Sequence, residues 1–101
     1  MNIIETDKNA LLVTPEGELD HHLAGKMRTE IDKKLGRGII NIIFDFSHLS
    51  FMDSSGIGMI MGRYKRIQKL GGRVIIAAPK PQVKRIIAMS GLLGITQISP
   101  S

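Results

Sequence analysis

Apolar positions follow two different periods along this chain. In ALLVT (10–14) they run nearly uninterrupted, which predicts a strand, paired with residues 2–6 across the polar DKN turn. After PEGE and Leu19 the period changes. Leu23, Met27, Ile31 and Leu35 recur every four residues, with Lys26, Arg28, Glu30, Lys33 and Lys34 between them. One apolar stripe and one solvated face predict an amphipathic helix, with Asp20 placed to cap its start and Gly36 and Gly38 to end it.

The second half repeats the alternation. IINIIFDF (39–46) is a β-branched run with polar interruptions at Asn41 and Asp45, and reads as a strand buried on at least one face. A second helix carries Ile57, Ile60, Met61, Tyr64 and Ile67 on one side, turns Arg63, Lys65, Arg66 and Lys69 mostly away, and stops at Gly71-Gly72. RVIIAA (73–78) is the next strand, closed by Pro79 and Pro81. A third helix from near Pro81 turns Val83, Ile86 and Ile87 inward and finishes at Ser90-Gly91, and ITQIS (95–99) is a short last strand. Parallel strands need crossover connections, so this order predicts an α/β fold: a small mixed, mostly parallel sheet covered by helices in one domain, residues 1–101. In such sheets the loops at the strand carboxyl ends gather function, and SHLSFMDSSG lies in one of them.

Composition narrows the classes. At 101 residues, 43% hydrophobic and 23% charged, the chain suits one core and no second domain. It has no cysteine, which removes disulfide and thiolate chemistry and fits a reducing cytoplasm. MNIIETDKNA lacks the charged and apolar regions of a signal peptide, and no apolar run approaches the ~18 residues of a membrane span, so neither a leader nor a membrane partner is expected. The net charge of +5 is unevenly placed: residues 1–50 hold six basic and eight acidic side chains, and residues 51–101 hold eight basic ones and only Asp53. That polarity points to an anionic partner. One Tyr, three Phe and no Trp give few stacking platforms, so direct nucleic-acid binding is not expected.

The candidate chemistry sits in Asp53-Ser54-Ser55-Gly56. A nucleophile elbow would be Gly-x-Ser-x-Gly; here the first glycine is missing, and His21, His22 and His48 show no triad spacing. Adjacent histidines diverge on a helix, so a metal site is not expected, and no phosphate-cradling glycine motif is present. Gly56, Gly58 and Gly62 fall on the second helix, where each costs ~1 kcal/mol against Ala. Close approach to the sheet, or room for a partner, would account for them. Asp53 or Ser54 can cap the helix, worth ~1 kcal/mol, but capping explains one polar residue and not three. Ser54 can also be a phosphorylation site, because a phosphate on a first helical turn leaves the helix intact while adding charge beside Asp53.

GELDHH (17–22), LSFMDSSGIGMIMGRYK (49–65), GGRVIIAAP (71–79) and VKRIIAMSGL (83–92) together resemble the anti-sigma-factor antagonists of the STAS family, in order along nearly the whole chain. The HH after GELD and the GRYK after the helix glycines are similar to its sporulation branch. The resemblance implies a cytoplasmic protein-interaction switch with no catalytic residue and no cofactor. Its unphosphorylated form would bind an anti-sigma factor that is also a serine kinase, with its bound ATP or ADP, and so free a sigma factor. The kinase would phosphorylate the first serine of the motif, Ser54, and a serine phosphatase would restore it. The resemblance also places the GELD turn beside this loop, so the expected partner surface is Asp20, His22, Asp53, Ser55, Gly56, Ile57 and Met59. Met59 falls off the apolar stripe, which suits either an exposed, adaptable contact or a helix flank partly covered by a neighbour. Family members usually continue into a C-terminal helix; this chain stops at Ser101, so that helix is expected to be absent or cut off. The alternative is a STAS-type sensor whose loop binds a nucleotide or small ligand.

Overall fold

The computed structural model describes residues 1–6, 9–94 and 97–100. Strand β1 (Asn2–Glu5) pairs antiparallel with β2 (Ala10–Thr14) in the register Asn2↔Thr14 to Glu5↔Leu11. From β2 onward the sheet is parallel: β4 (Asn41–Asp45), β6 (Val74–Ala77) and β7 (Gln97–Ser99) follow in the spatial order β1-β2-β4-β6-β7. The crossovers between parallel strands carry helices α1 (His21–Lys34), α2 (Ser54–Lys69) and α3 (Pro81–Ser90). The mixed, mostly parallel sheet with its helical cover is therefore as the chain pattern predicts. The DKN turn, the first two residues of ITQIS and Ser101 involve positions outside the described residues.

Burial alternates along the strands. Leu11, Val13, Ile42, Phe44, Val74 and Ile76 are buried, while Leu12, Ile43 and Ile75 between them are only partly so. The buried set forms one cluster with Ala24, Met27, Ile31, Ile60, Ile67, Val83 and Ile87 from the three helices. One face of the sheet thus carries the core. The polar interruptions of the central strand have local tasks. Asn41 Oδ1 accepts from Arg73 N at 2.8 Å, and Asp45 Oδ1 accepts from Ser47 N at 3.0 Å. They satisfy backbone donors where the ladder ends. Gly72 sits so close to the Ile40 carbonyl that an added Cβ would collide with it, so the α2–β6 turn admits no side chain there.

Two strands went unpredicted. Gly17–Leu19 forms β3 and Leu49–Met52 forms β5, and they pair in parallel as a separate two-stranded sheet, Glu18↔Phe51 and Leu19↔Met52. The segments expected to be a turn (GELD) and a loop (SHLSFM) are therefore extended and hydrogen-bonded to each other. Gly17 N donates to His48 O at 3.0 Å and Ser50 Oγ to Gly17 O at 2.9 Å. Leu19, Leu49 and Met52 are fully buried and carry this small sheet onto the core.

Candidate functional site

The β3–β5 pair builds the site. Its last register is Leu19↔Met52, so the two strands end side by side and each releases its chain into a helix at the next residue, Asp20 or Asp53. Asp53 N still donates to Leu19 O at 3.2 Å. Both caps are extended and both use their carboxylate. Asp20 Oδ1 accepts from Leu23 N at 2.9 Å, and Asp53 Oδ1 accepts from Ser55 N at 2.8 Å and from Gly56 N at 3.4 Å. Of the two capping candidates, Asp53 is the cap. Ser54 is the first residue of α2, exposed, and its hydroxyl has no hydrogen-bond partner among the described residues.

The two helices then run parallel, touching at offsets of 31 to 34 residues. His21 Nδ1 lies 3.5 Å from Ser55 Oγ, Arg63 Nε lies 3.1 Å from Asp32 Oδ1, and Arg66 Nη2 lies 3.5 Å from the Leu35 carbonyl. Gly56 is where α2 meets the small sheet: an added Cβ would lie 2.5 Å from Met52 Cγ and 2.9 Å from Leu19 Cγ. Its absence of a side chain is what lets the helix start so close to β3 and β5. Gly58 has open space around it, so the two glycines serve opposite ends.

Of the residues expected to meet a partner, Asp20, Asp53, Ser54 and Ser55 come together at the joined helix starts. Ile57 is half-buried and packs against the core, and Gly56 is buried. His22 is exposed but lines a hollow of about 540 Å³ with Met1 and Lys26 on another flank of α1. Met59 corrects an expectation: it is only 5% exposed and belongs to the core cluster. A helix that packs against both the sheet and α1 needs a wider apolar arc than one stripe, and Met59 fills the side toward α1. Phe51 was missed. It is 47% exposed on β5, three residues before Ser54, and its sign in the sequence was an aromatic at an outward position of LSFM.

The electrostatics are simple. The Asp45 carboxyl is held below its usual range by the backbone N–H and hydroxyl of Ser47, against a smaller effect of burial, with His48 adding to the lowering. Burial lowers the Arg63 guanidinium, opposed by Asp32 and reinforced by Arg28 and Arg66. Among the described residues no three metal-ligating side chains converge, and no helix is long and apolar enough to cross a membrane.

A family model for the STAS domain matches residues 2–101. The anti-sigma F factor antagonist of Paenibacillus polymyxa is 40% identical over 94% of this chain and 82% of its own. The solved structure of the anti-sigma factor antagonist SpoIIAA in its unphosphorylated form is 31% identical, with a TM-score of 0.88 over 97% of this chain and 86% of that one. The phosphorylated form of the Bacillus cell fate determinant SpoIIAA is also 31% identical, with a TM-score of 0.79 over 97% of this chain and 89% of that one.

Proposed function

This chain belongs to the STAS domain family, and on that premise we propose that it is a cytoplasmic anti-sigma factor antagonist switched by phosphorylation of Ser54. It acts as a regulator and not as an enzyme. The unphosphorylated chain binds an anti-sigma factor through the joined starts of α1 and α2, where Asp20, Asp53, Ser54, Ser55 and the half-buried Ile57 meet, with Phe51 beside them. That binding frees the sigma factor. The anti-sigma factor is also a serine kinase: the Ser54 hydroxyl gives up its proton as its oxygen takes the γ-phosphoryl group of ATP, leaving ADP. A serine phosphatase removes the group and restores the antagonist.

The observation that carries this reading is the division of labour inside the Asp53-Ser54-Ser55-Gly56 run. Asp53 has already taken the Ser55 and Gly56 N–H groups, while the Ser54 hydroxyl stands exposed and unengaged. An acceptor serine must be reachable without unfolding, and Ser54 is. A phosphate there brings about 1.5 to 2 negative charges. The first-turn donors that would neutralise it are occupied by the Asp53 carboxylate, so the new charge stays at the surface and faces the partner. Repulsion and desolvation at a docked interface then release it.

The test is intact mass before and after incubation with the ATP-loaded anti-sigma factor of the same organism. One added phosphate is expected on the wild type and none on Ser54→Ala. Because Asp53 keeps the cap, Ser54→Ala should stay folded and bind the anti-sigma factor persistently in the presence of ATP. A Ser54→Ala protein that still gains phosphate and lets go of its partner would sink the assignment.

A further inference from the structure

Beside the Ser54 site lies a groove of about 310 Å³ between α1 and α2, and its make-up is not what a helix seam needs. His21 and Ser55 close one end, at the two helix starts, and Arg28 and Arg63 stand along it. Its walls include Gly25 and Gly58, both in helix interiors. Each costs ~1 kcal/mol against Ala there. Close packing does not require them: a Cβ built at either meets nothing within 4 Å. The two glycines keep a trough open that alanines would narrow.

The trough is also cationic. No carboxylate is among its lining residues. Along the arginines, Asp32 lies 3.1 Å from Arg63 and 3.4 Å from Arg66, so one carboxylate serves two guanidinium groups, and Arg28 adds a third positive charge nearby. The Arg63 side chain is only 12% exposed, and its buried Nε and Nη1 make no aligned hydrogen bond with any described residue. Asp32 pairs with Arg63 Nε but leaves the buried Nη1 without an acceptor, and a planar carboxylate is the group a guanidinium fork matches best.

We propose that this groove receives a carboxylate-bearing segment of the anti-sigma factor, held between Arg28 and Arg63. The inference rests on the reading that the chain binds such a factor, and adds a specificity surface to it. The groove is continuous with the Ser54 site through Ser55 and His21, so a partner covering Ser54 reaches it without a second approach. Glycine leaves room for the incoming segment, and the arginines supply the charge that selects it.

Calorimetric titration of the full chain with the ADP-loaded anti-sigma factor of the same organism, which cannot phosphorylate Ser54, in low and high salt, tests this. Arg28 is exposed, so Arg28→Glu keeps the fold; it should weaken binding about tenfold or more at low salt and flatten the salt dependence. Arg28→Lys should retain most of the affinity. Gly58→Leu, with its fold checked by circular dichroism, should weaken binding at both salt concentrations by filling the trough. If the wild type binds and Ser54→Asp releases it, yet Arg28→Glu and Gly58→Leu bind like the wild type, the groove proposal alone falls. If the wild type does not bind, the functional reading falls and takes the groove with it. If ATP alone binds the isolated chain and Arg28→Glu abolishes that, the groove belongs to a nucleotide and the carboxylate proposal is overturned.

Discussion

Asp53 and Ser54 are neighbours with opposite duties. Asp53 follows β5 where it ends side by side with β3 and turns its carboxylate onto the helix donors; Ser54, one residue on, is left facing outward. From the sequence either could cap, because Ser and Asp are near-equal caps and a one-residue difference in helix start is not encoded in the apolar period. The β3–β5 register decides it. Asp45 carries a similar duty at the end of β4 and offers a pH test. Its folded-state pKa is depressed because Ser47 binds the charged form. A depressed carboxylate contributes stability that is complete above its unfolded value of 3.8 and disappears as pH falls through the lower folded value. Asn at this position still accepts from Ser47 but does not titrate. Thermal midpoints measured from about pH 5 down to about pH 2 should therefore fall less steeply for Asp45→Asn than for the wild type, so that the gap between them narrows on the acid side. Parallel curves would mean that the Ser47 contact does not distinguish the two charge states.

At the scale of elements, what the sequence made legible depended on length and on the number of neighbours. The three helices and the strands of the main sheet were readable because each repeats its period often enough to be seen. β3 and β5 were not. They are three and four residues long, with outward positions at Glu18, Ser50 and Phe51, and they exist because each pairs with a partner some 32 residues away in sequence. No local period reports that. Met59 was misread for a related reason: a helix packed on two sides buries residues that one stripe assigns to solvent. The helix glycines were noticed, but their different reasons needed coordinates. Gly56→Ala forces a methyl against Met52 and Leu19 and should destabilise the fold by about 1–3 kcal/mol, despite the better helix former. Gly58→Ala meets open space and should stabilise it by up to ~1 kcal/mol. Urea denaturation midpoints check the pair, and equal shifts in one direction would show that helix propensity outweighs the contact at Gly56.

Across the whole molecule, most of the proposed binding surface stands apart from the core. The core cluster lies between the sheet and its helices, whereas Asp20, Ser54, Phe51 and the arginine-lined groove stand at the surface around the starts of α1 and α2. The basic second half, legible as a charge count, acquires a place only when α2 lies against α1 and sets Arg63 and Arg66 beside Arg28. The proposed switch changes what a partner meets and leaves the fold alone, since Ser54 holds no side-chain hydrogen bond among the described residues that a phosphate would break. Hydrogen exchange on the phosphorylated and unphosphorylated chains should therefore give the same protection for the sheet amides of Ile42, Phe44, Val74 and Ile76. Changes should be confined to residues 53–57. The thermal midpoint should move by no more than a few degrees, as expected for a shift of ~1 kcal/mol or less in a domain of this size. Loss of protection across the sheet on phosphorylation would mean that the antagonist is switched off by loosening its core and not by the charge on its surface.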